Sequence, residues 1–162
     1  MEKRPNRKNG RLKNYDYRSK GVYHVTICTN RRECLFGCIA DKQMLLNEKG
    51  EVVENAITAI PCYYRDVRIL SHVVMPNHVH LLVELCPEAD AMNGVPTAQH
   101  TLGQIISAFK AGVSRKLGCS VWQPRFYEHI IRGERDYLDT VAYIQNNPAA
   151  WDKDDYFMSA QP

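Results

Sequence analysis

An α+β fold, one antiparallel sheet with helices on one face, is predicted by three features of this 162-residue sequence. Apolar residues recur at every second position in some stretches and at every third or fourth in others. These are the periods of a half-buried strand and of an amphipathic helix. The stretches follow one another as strand, helix, two strands, helix, strand, helix. The two consecutive strands are separated only by a turn at Pro76-Asn77, a gap that antiparallel neighbours can close and parallel ones cannot.

Each element has its own justification. Gly21 to Thr29 is rich in β-branched and aromatic residues, which suit a pleated surface, and reads as the first strand. Asn30-Arg31-Arg32-Glu33 is a polar, basic turn. Cys34 to Leu46 has no dominant period and admits a short strand or a hairpin. From Asn47 to Tyr64, Val52, Val53, Ala56, Ile57 and Ile60 make one apolar stripe, so a helix is expected. Pro61 should break it or bend its end. Strands follow at Val67 to Met75 and at Val79 to Cys86. Pro87 to Gln99 mixes Pro, Gly, Asn, Asp and Thr without periodicity and reads as a loop.

Helical spacing resumes through Leu102, Ile105, Ile106, Phe109 and Val113, and Gly118 suits the end of that helix. A fourth strand is expected from Phe126 to Ile131. A last helix runs from Arg135 to Asn147, where Pro148 stops it. The order β-α-β-β-α-β with a terminal helix is the ferredoxin-like arrangement, with one sheet face left for chemistry or a ligand. That topology serves many functions and selects none.

Composition narrows the field. The length suits one domain, and a mean hydropathy of −0.42 fits a globular chain. No apolar run nears the ~18 residues that cross a bilayer, and the N-terminus lacks the apolar core of a secretory signal. A cytoplasmic location is therefore expected. The six cysteines form no Cys-x-x-Cys pair and are expected as free thiols. The formal charge of +3 is uneven. Residues 1–20 hold eight Lys and Arg against Glu2 and Asp16, a net +6, which leaves −3 on the rest. Residues 1–20 thus read as a basic, flexible arm suited to phosphate backbones, residues 21–151 as the folded domain that carries the candidate chemistry and residues 152–162 as a short acidic tail.

The chemistry concentrates in Met75-Pro76-Asn77-His78-Val79-His80-Leu81-Leu82. Side chains alternate along a strand, so His78 and His80 project from one side and can grip one divalent metal. Val79, Leu81 and Val83 face the other way, toward the core. A His-x-His pair alone is weak, since two incidental surface histidines produce it too. Tyr143 and Asn147 supply the second half, four residues apart and so on one helical face. A phenol can attack phosphorus when a metal or base assists it, and an amide oxygen can complete a site begun by two imidazoles. Nitrogen and oxygen donors with open positions suit Mg²⁺ or Mn²⁺, the ligand types also admit Zn²⁺, and the imidazoles must be neutral to bind.

On these residues the chain resembles the REP-associated tyrosine transposases, within the single-tyrosine HUH transposases. The Met75–Leu82 segment is similar to their Met-Pro-Asn-His-x-His-Leu-Leu signature. Further likeness lies in Tyr23–Thr29, Phe36-Gly37, Ser107–Lys110, Trp122–Arg132 and Tyr143–Pro148.

The resemblance covers roughly residues 11 to 151 in the same order. It implies that Tyr143 is the nucleophile, becoming linked to a 5′ phosphate, and that His78, His80 and Asn147 hold the metal. The implied substrate is single-stranded DNA beside a hairpin, and the implied state is a monomer or a homodimer. Lys110, Arg115, Arg125 and the basic arm are the candidates for backbone contact, each also readable as a solvated charge. Trp122 could stack on a base or pack as a half-buried aromatic, and His24, His72 and His129 read as packed or surface residues. A histidine-triad nucleotide hydrolase would need a third alternating histidine, but Pro76 and Leu82 occupy those positions. A domesticated DNA-binding module without cleavage activity is the non-enzymatic alternative.

Overall fold

The computed structural model describes residues 20–86 and 100–158. The basic arm up to residue 19 and the loop at residues 87–99 lie outside them. In chain order the elements are β1 (Gly21–Cys28), β2 (Gly37–Ala40), β3 (Gln43–Leu46), α1 (Glu48–Tyr63), β4 (Val67–Val74), β5 (His78–Leu85), α2 (Leu102–Leu117), β6 (Tyr127–Ile130) and α3 (Gly133–Asn146). Two short 3-10 turns, Asn30–Arg32 and Pro148–Lys153, complete them.

Four strands form one sheet in the order β4-β5-β1-β6. All its pairings are antiparallel, and the order is the ferredoxin-like one the sequence predicts. The ambiguous stretch before α1 is a separate hairpin, β2 with β3. Its two-residue turn, Asp41-Lys42, takes φ of 50° and 61°, the hand that matches strand twist in tight hairpins. Gly37 enters that hairpin at φ +140°, where an added Cβ would sit 2.0 Å from the Leu45 carbonyl oxygen.

Alternation along β1 and β5 divides the sheet into two faces. Tyr23, Val25 and Ile27 with Val79, Leu81, Val83 and Leu85 join one core cluster. Val53, Ile57 and Ile60 of α1 and Ile105, Ile106, Phe109 and Val113 of α2 close it. Asn47 caps α1 by accepting from Gly50 N at 3.0 Å. Thr101 and Gln104 form a capping box on α2, and Gly118 ends that helix in the left-handed conformation.

Pro61 does not break α1, which runs two residues past it. In the last turn its missing N–H removes only the bond to Ile57, and Tyr64 N still reaches Ile60 O at 3.1 Å. A bulge in β4 between Ile69 and Ser71 turns His72 to the helix side, where its Nε2 meets Glu54 at 2.7 Å. α3 lies over the opposite face, touching β4 and β5, with Ile144 and Thr140 buried beneath it.

Candidate active site

The site forms where the β4–β5 connection meets α3 and the C-terminal segment. Met75 N donates to His78 O at 2.8 Å, closing a tight turn around Pro76 and Asn77. The Asn77 carbonyl accepts from Thr29 N at 2.9 Å and from Thr29 Oγ1 at 3.0 Å, which ties the turn to the end of β1. The Asn77 amide is wholly buried. Its Nδ2 donates to Arg32 O at 3.1 Å and Tyr156 O at 2.7 Å. Those bonds fix the amide's orientation, so its oxygen is the atom 2.8 Å from His78 Nδ1. An amide oxygen only accepts, so His78 Nδ1 carries the hydrogen and Nε2 keeps a bare lone pair.

That lone pair faces His80 Nε2 at 3.0 Å. The other nitrogen of His80, Nδ1, lies 2.9 Å from Thr26 Oγ1 and 3.1 Å from His24 Nε2. Asp154 Oδ2 stands 3.8 Å from His78 Nε2, its side chain almost fully covered. Ligand atoms of His78, His80 and Asp154 all lie within 4.8 Å of one another. Asn147 is also buried, and its Oδ1 accepts no hydrogen bond. Its amide interacts with both the His78 ring and the Asp154 carboxylate.

Burial keeps these imidazoles uncharged. Loss of solvent pushes His78 down to about 3, helped by the Arg32 charge and opposed by Asn147. His80 is held well below the ordinary value by burial, then by His78 and His24. Burial lowers His24 to about 4, with His129 adding to the effect and Asp136 opposing it. Burial raises the Asp154 carboxyl. Neutral imidazole is the metal-binding form.

The donor set fits a divalent cation. Two basic nitrogens 3.0 Å apart repel unless a proton or a cation lies between them. That spacing equals two adjacent ligands on an octahedral ion with bonds of about 2.1 Å. The unpaired Asn147 oxygen supplies a further donor, and Asp154 adds a carboxylate. The outer bonds from Asn77 and Thr26 are the kind that orient metal-binding histidines.

Tyr143 stands beside this group in the same chain. Its ring centroid is 5.2 Å from that of His80 and 5.9 Å from that of His24. The side of α3 that carries Tyr143 and Asn147 borders a cleft of about 390 Å³, whose far wall includes Lys153, Asp154 and Asp155. The tyrosine is 46% exposed, against 3% for Asn147, so a strand in the cleft can reach the phenol.

The structure brings Tyr143, His78, His80 and Asn147 together, as the sequence spacing suggests. It does not bring Lys110 to them. The Lys110 ammonium donates to the carbonyls of Gln123 at 2.6 Å and Pro124 at 3.1 Å, and α2 lies under the opposite face. Arg115 is exposed on α2, and Arg125 is exposed just before β6. Trp122 is 4% exposed and packs on Phe36 and Phe109, a core residue with no base-stacking face. All six cysteines are free thiols, as expected.

Several site residues escaped the sequence reading. His24 and Thr26 alternate on β1, and the β1–β5 register sets Thr26 opposite His80; strand pairing would have exposed them. Asp154 and Tyr156 belong to residues 152–162, read as a short acidic tail. As far as residue 158 that segment instead folds back onto the site, with the Tyr156 ring 4.7 Å from His78. No periodicity signals that return.

A ferredoxin-like sheet bearing paired histidines against an in-chain tyrosine defines a class of DNA-processing fold, and comparison with known proteins supplies the family. The family model described as Transposase IS200 like matches residues 17–147. The chain belongs to that family and is a tyrosine transposase of the Y1 type, a class of enzymes that cleave and transfer DNA strands.

An uncharacterized protein of Haemophilus influenzae is 40% identical over 168 aligned positions, covering 94% of this chain and 93% of its own. A REP-associated tyrosine transposase of Escherichia coli K12 is 32% identical over 107 residues, covering 66% of this chain but only 59% of the relative. The solved structure of a REP-associated tyrosine transposase bound to a REP hairpin matches with a TM-score of 0.62 at 26% identity, over 86% of this chain and 73% of that one. A putative transposase from Deinococcus radiodurans, at 20% identity and a TM-score of 0.51, shares the fold. No helix among the described residues is long and apolar enough to cross a membrane.

Proposed function

We propose that this transposase cleaves and rejoins single-stranded DNA beside a hairpin, through a 5′-phosphotyrosine on Tyr143, in the cytoplasm. The observation that carries the reading is the convergence of an exposed phenol with two neutral imidazoles whose Nε2 atoms face each other at 3.0 Å. The solved neighbour bound to a REP hairpin supports a hairpin substrate.

His78, His80 and Asn147, with Asp154 beside them, would hold Mg²⁺ or Mn²⁺, which would supply positive charge to polarise the scissile phosphate. Asn77 and Thr26 fix the two imidazoles so that their lone pairs need no rearrangement when substrate arrives. Tyr143 Oη attacks phosphorus and loses its proton to solvent, while the bond to the 3′ oxygen breaks and that oxygen takes up a proton. The tyrosine ester keeps the energy of the broken bond, so a 3′-hydroxyl can attack it and rejoin the strand without ATP. Arg115, Arg125 and the basic arm contact the backbone, and Lys110 holds the segment that presents Arg125. The chain works as a monomer or as a homodimer.

The test is a denaturing gel of labelled hairpin DNA with single-stranded flanks, incubated with Mn²⁺. Wild type should form a protein–DNA adduct on the 5′ side. Tyr143→Phe should form none while its hairpin binding stays within about twofold. An adduct on the phenylalanine variant would overturn the assignment. Binding without cleavage across a broad hairpin panel would favour the domesticated module.

A further inference from the structure

We propose that Arg32 is a phosphate-binding residue of this site, its guanidinium taking the charged oxygens of the single-stranded backbone as the strand passes His78. The proposal rests on the DNA-cleavage reading and adds a residue to it. Arg31 and Arg32 take φ of 54° and 57° in succession, a conformation glycine adopts without penalty and arginine does not. Persisting strain of this kind requires surroundings that impose it, and it clusters at functional sites.

Here the surroundings are the site itself. Arg32 N donates to Thr29 O at 3.1 Å, closing the turn from inside, and Thr29 Oγ1, 2.8 Å from Glu33 O and 3.0 Å from Asn77 O, shares its one hydrogen between the turn and the Asn77 carbonyl. From outside, Asn77 Nδ2 donates to Arg32 O. The same amide orients His78, so one buried group places the arginine and the imidazole together.

The guanidinium lies over the Tyr156 ring, 5.2 Å from its centroid, and that ring is 4.7 Å from His78. Only one aromatic ring separates the cation from the paired histidines. Its hydrogen bond to Asp155 O is long, at 3.4 Å. Held by that long bond, this guanidinium can turn its planar fork of donors to two phosphate oxygens. Asp154 and Asp155 on the cleft wall would repel an entering phosphate; Lys153 on the same wall and Arg32 over the Tyr156 ring are cations placed to offset them.

The experiment uses the full chain carrying Tyr143→Phe, so that binding is measured without turnover, with Mn²⁺ and the hairpin that wild type cleaves. A neutral methylphosphonate replaces one phosphate at a time around the cleavage position. At one position the neutral linkage should weaken binding by about tenfold or more, the usual worth of a charged hydrogen bond. Adding Arg32→Ala should weaken binding of natural DNA by a similar factor and abolish the penalty at that position. Arg32→Gln, close in size, should do the same if alanine disturbs the turn, and Arg32→Lys should keep part of the penalty. Penalties that stay the same size without the arginine overturn the proposal alone. If wild type cleaves no hairpin, the DNA-cleavage reading falls and the proposal with it; if no single neutral linkage weakens binding of the Tyr143→Phe protein, the proposal falls alone.

Discussion

β5 gives Val79, Leu81 and Val83 to one face of the sheet and His78, His80 and Leu82 to the other, and all six are 0–1% exposed. On the helix-covered face burial is favourable by itself, about 1.5–3 kcal/mol for each large apolar side chain, and needs no particular partner atom. On the α3 face burial of an imidazole is costly unless its nitrogens are bonded. There each ring nitrogen of His78 and His80 has a named neighbour, and the buried Asn147 Oδ1 is left without a hydrogen bond. Burial alone therefore does not separate core from site, whereas the chemistry of the contacts on each face of β5 does.

The comparison yields expectations that can break it. His80→Ala should cost most, lowering cleavage with Mn²⁺ by more than the ~10–100-fold of an outer-position change, read by the adduct gel. Leu81→Ala, one residue away on the other face, should cost ~2–5 kcal/mol of stability in urea unfolding. It should leave Mn²⁺ affinity of the folded protein intact, measured by calorimetry; a comparable loss there would show that the faces are not separable. Thr26→Val removes the hydroxyl beside His80 Nδ1 and nearly keeps its shape. Mn²⁺ affinity should fall ~10–100-fold with a stability change within about 1 kcal/mol.

A further expectation concerns pH. His24 and His78 are depressed to about 4 and about 3, so the folded chain binds fewer protons than the unfolded one below ~6.5. Stability without metal should be full above that value and fall as pH drops toward 4 and 3. His24→Gln should flatten the decline between pH 6.5 and 4, and an unchanged slope in urea titrations would remove His24 from the account.

Much of this was legible in the sequence because it is periodic. Strand alternation placed His78 and His80 on one side, and helical spacing placed Tyr143 with Asn147. The bounds of α2 were legible because its apolar stripe ends at a left-handed glycine. What was not legible depends on contacts far apart in sequence. Pairing of Thr26 with His80 is a matter of register between β1 and β5. The bond from Asn77 to Tyr156 spans 79 residues, and nothing in the residues after Pro148 announces their return. Lys110 looked like a surface cation because sequence does not reveal the two carbonyls it meets.

One chain supplies both the phenol and the imidazoles, with 5.2 Å between the rings of Tyr143 and His80. The order of the reaction in protein follows from this. Turnover per molecule at saturating DNA should stay constant on serial dilution, where a site shared between two copies would lose rate as they part. Mixing the wild type with excess Tyr143→Phe protein, with DNA in surplus, should not poison it. A gene encoding an inactive copy would then be a bystander in the same cell rather than an inhibitor.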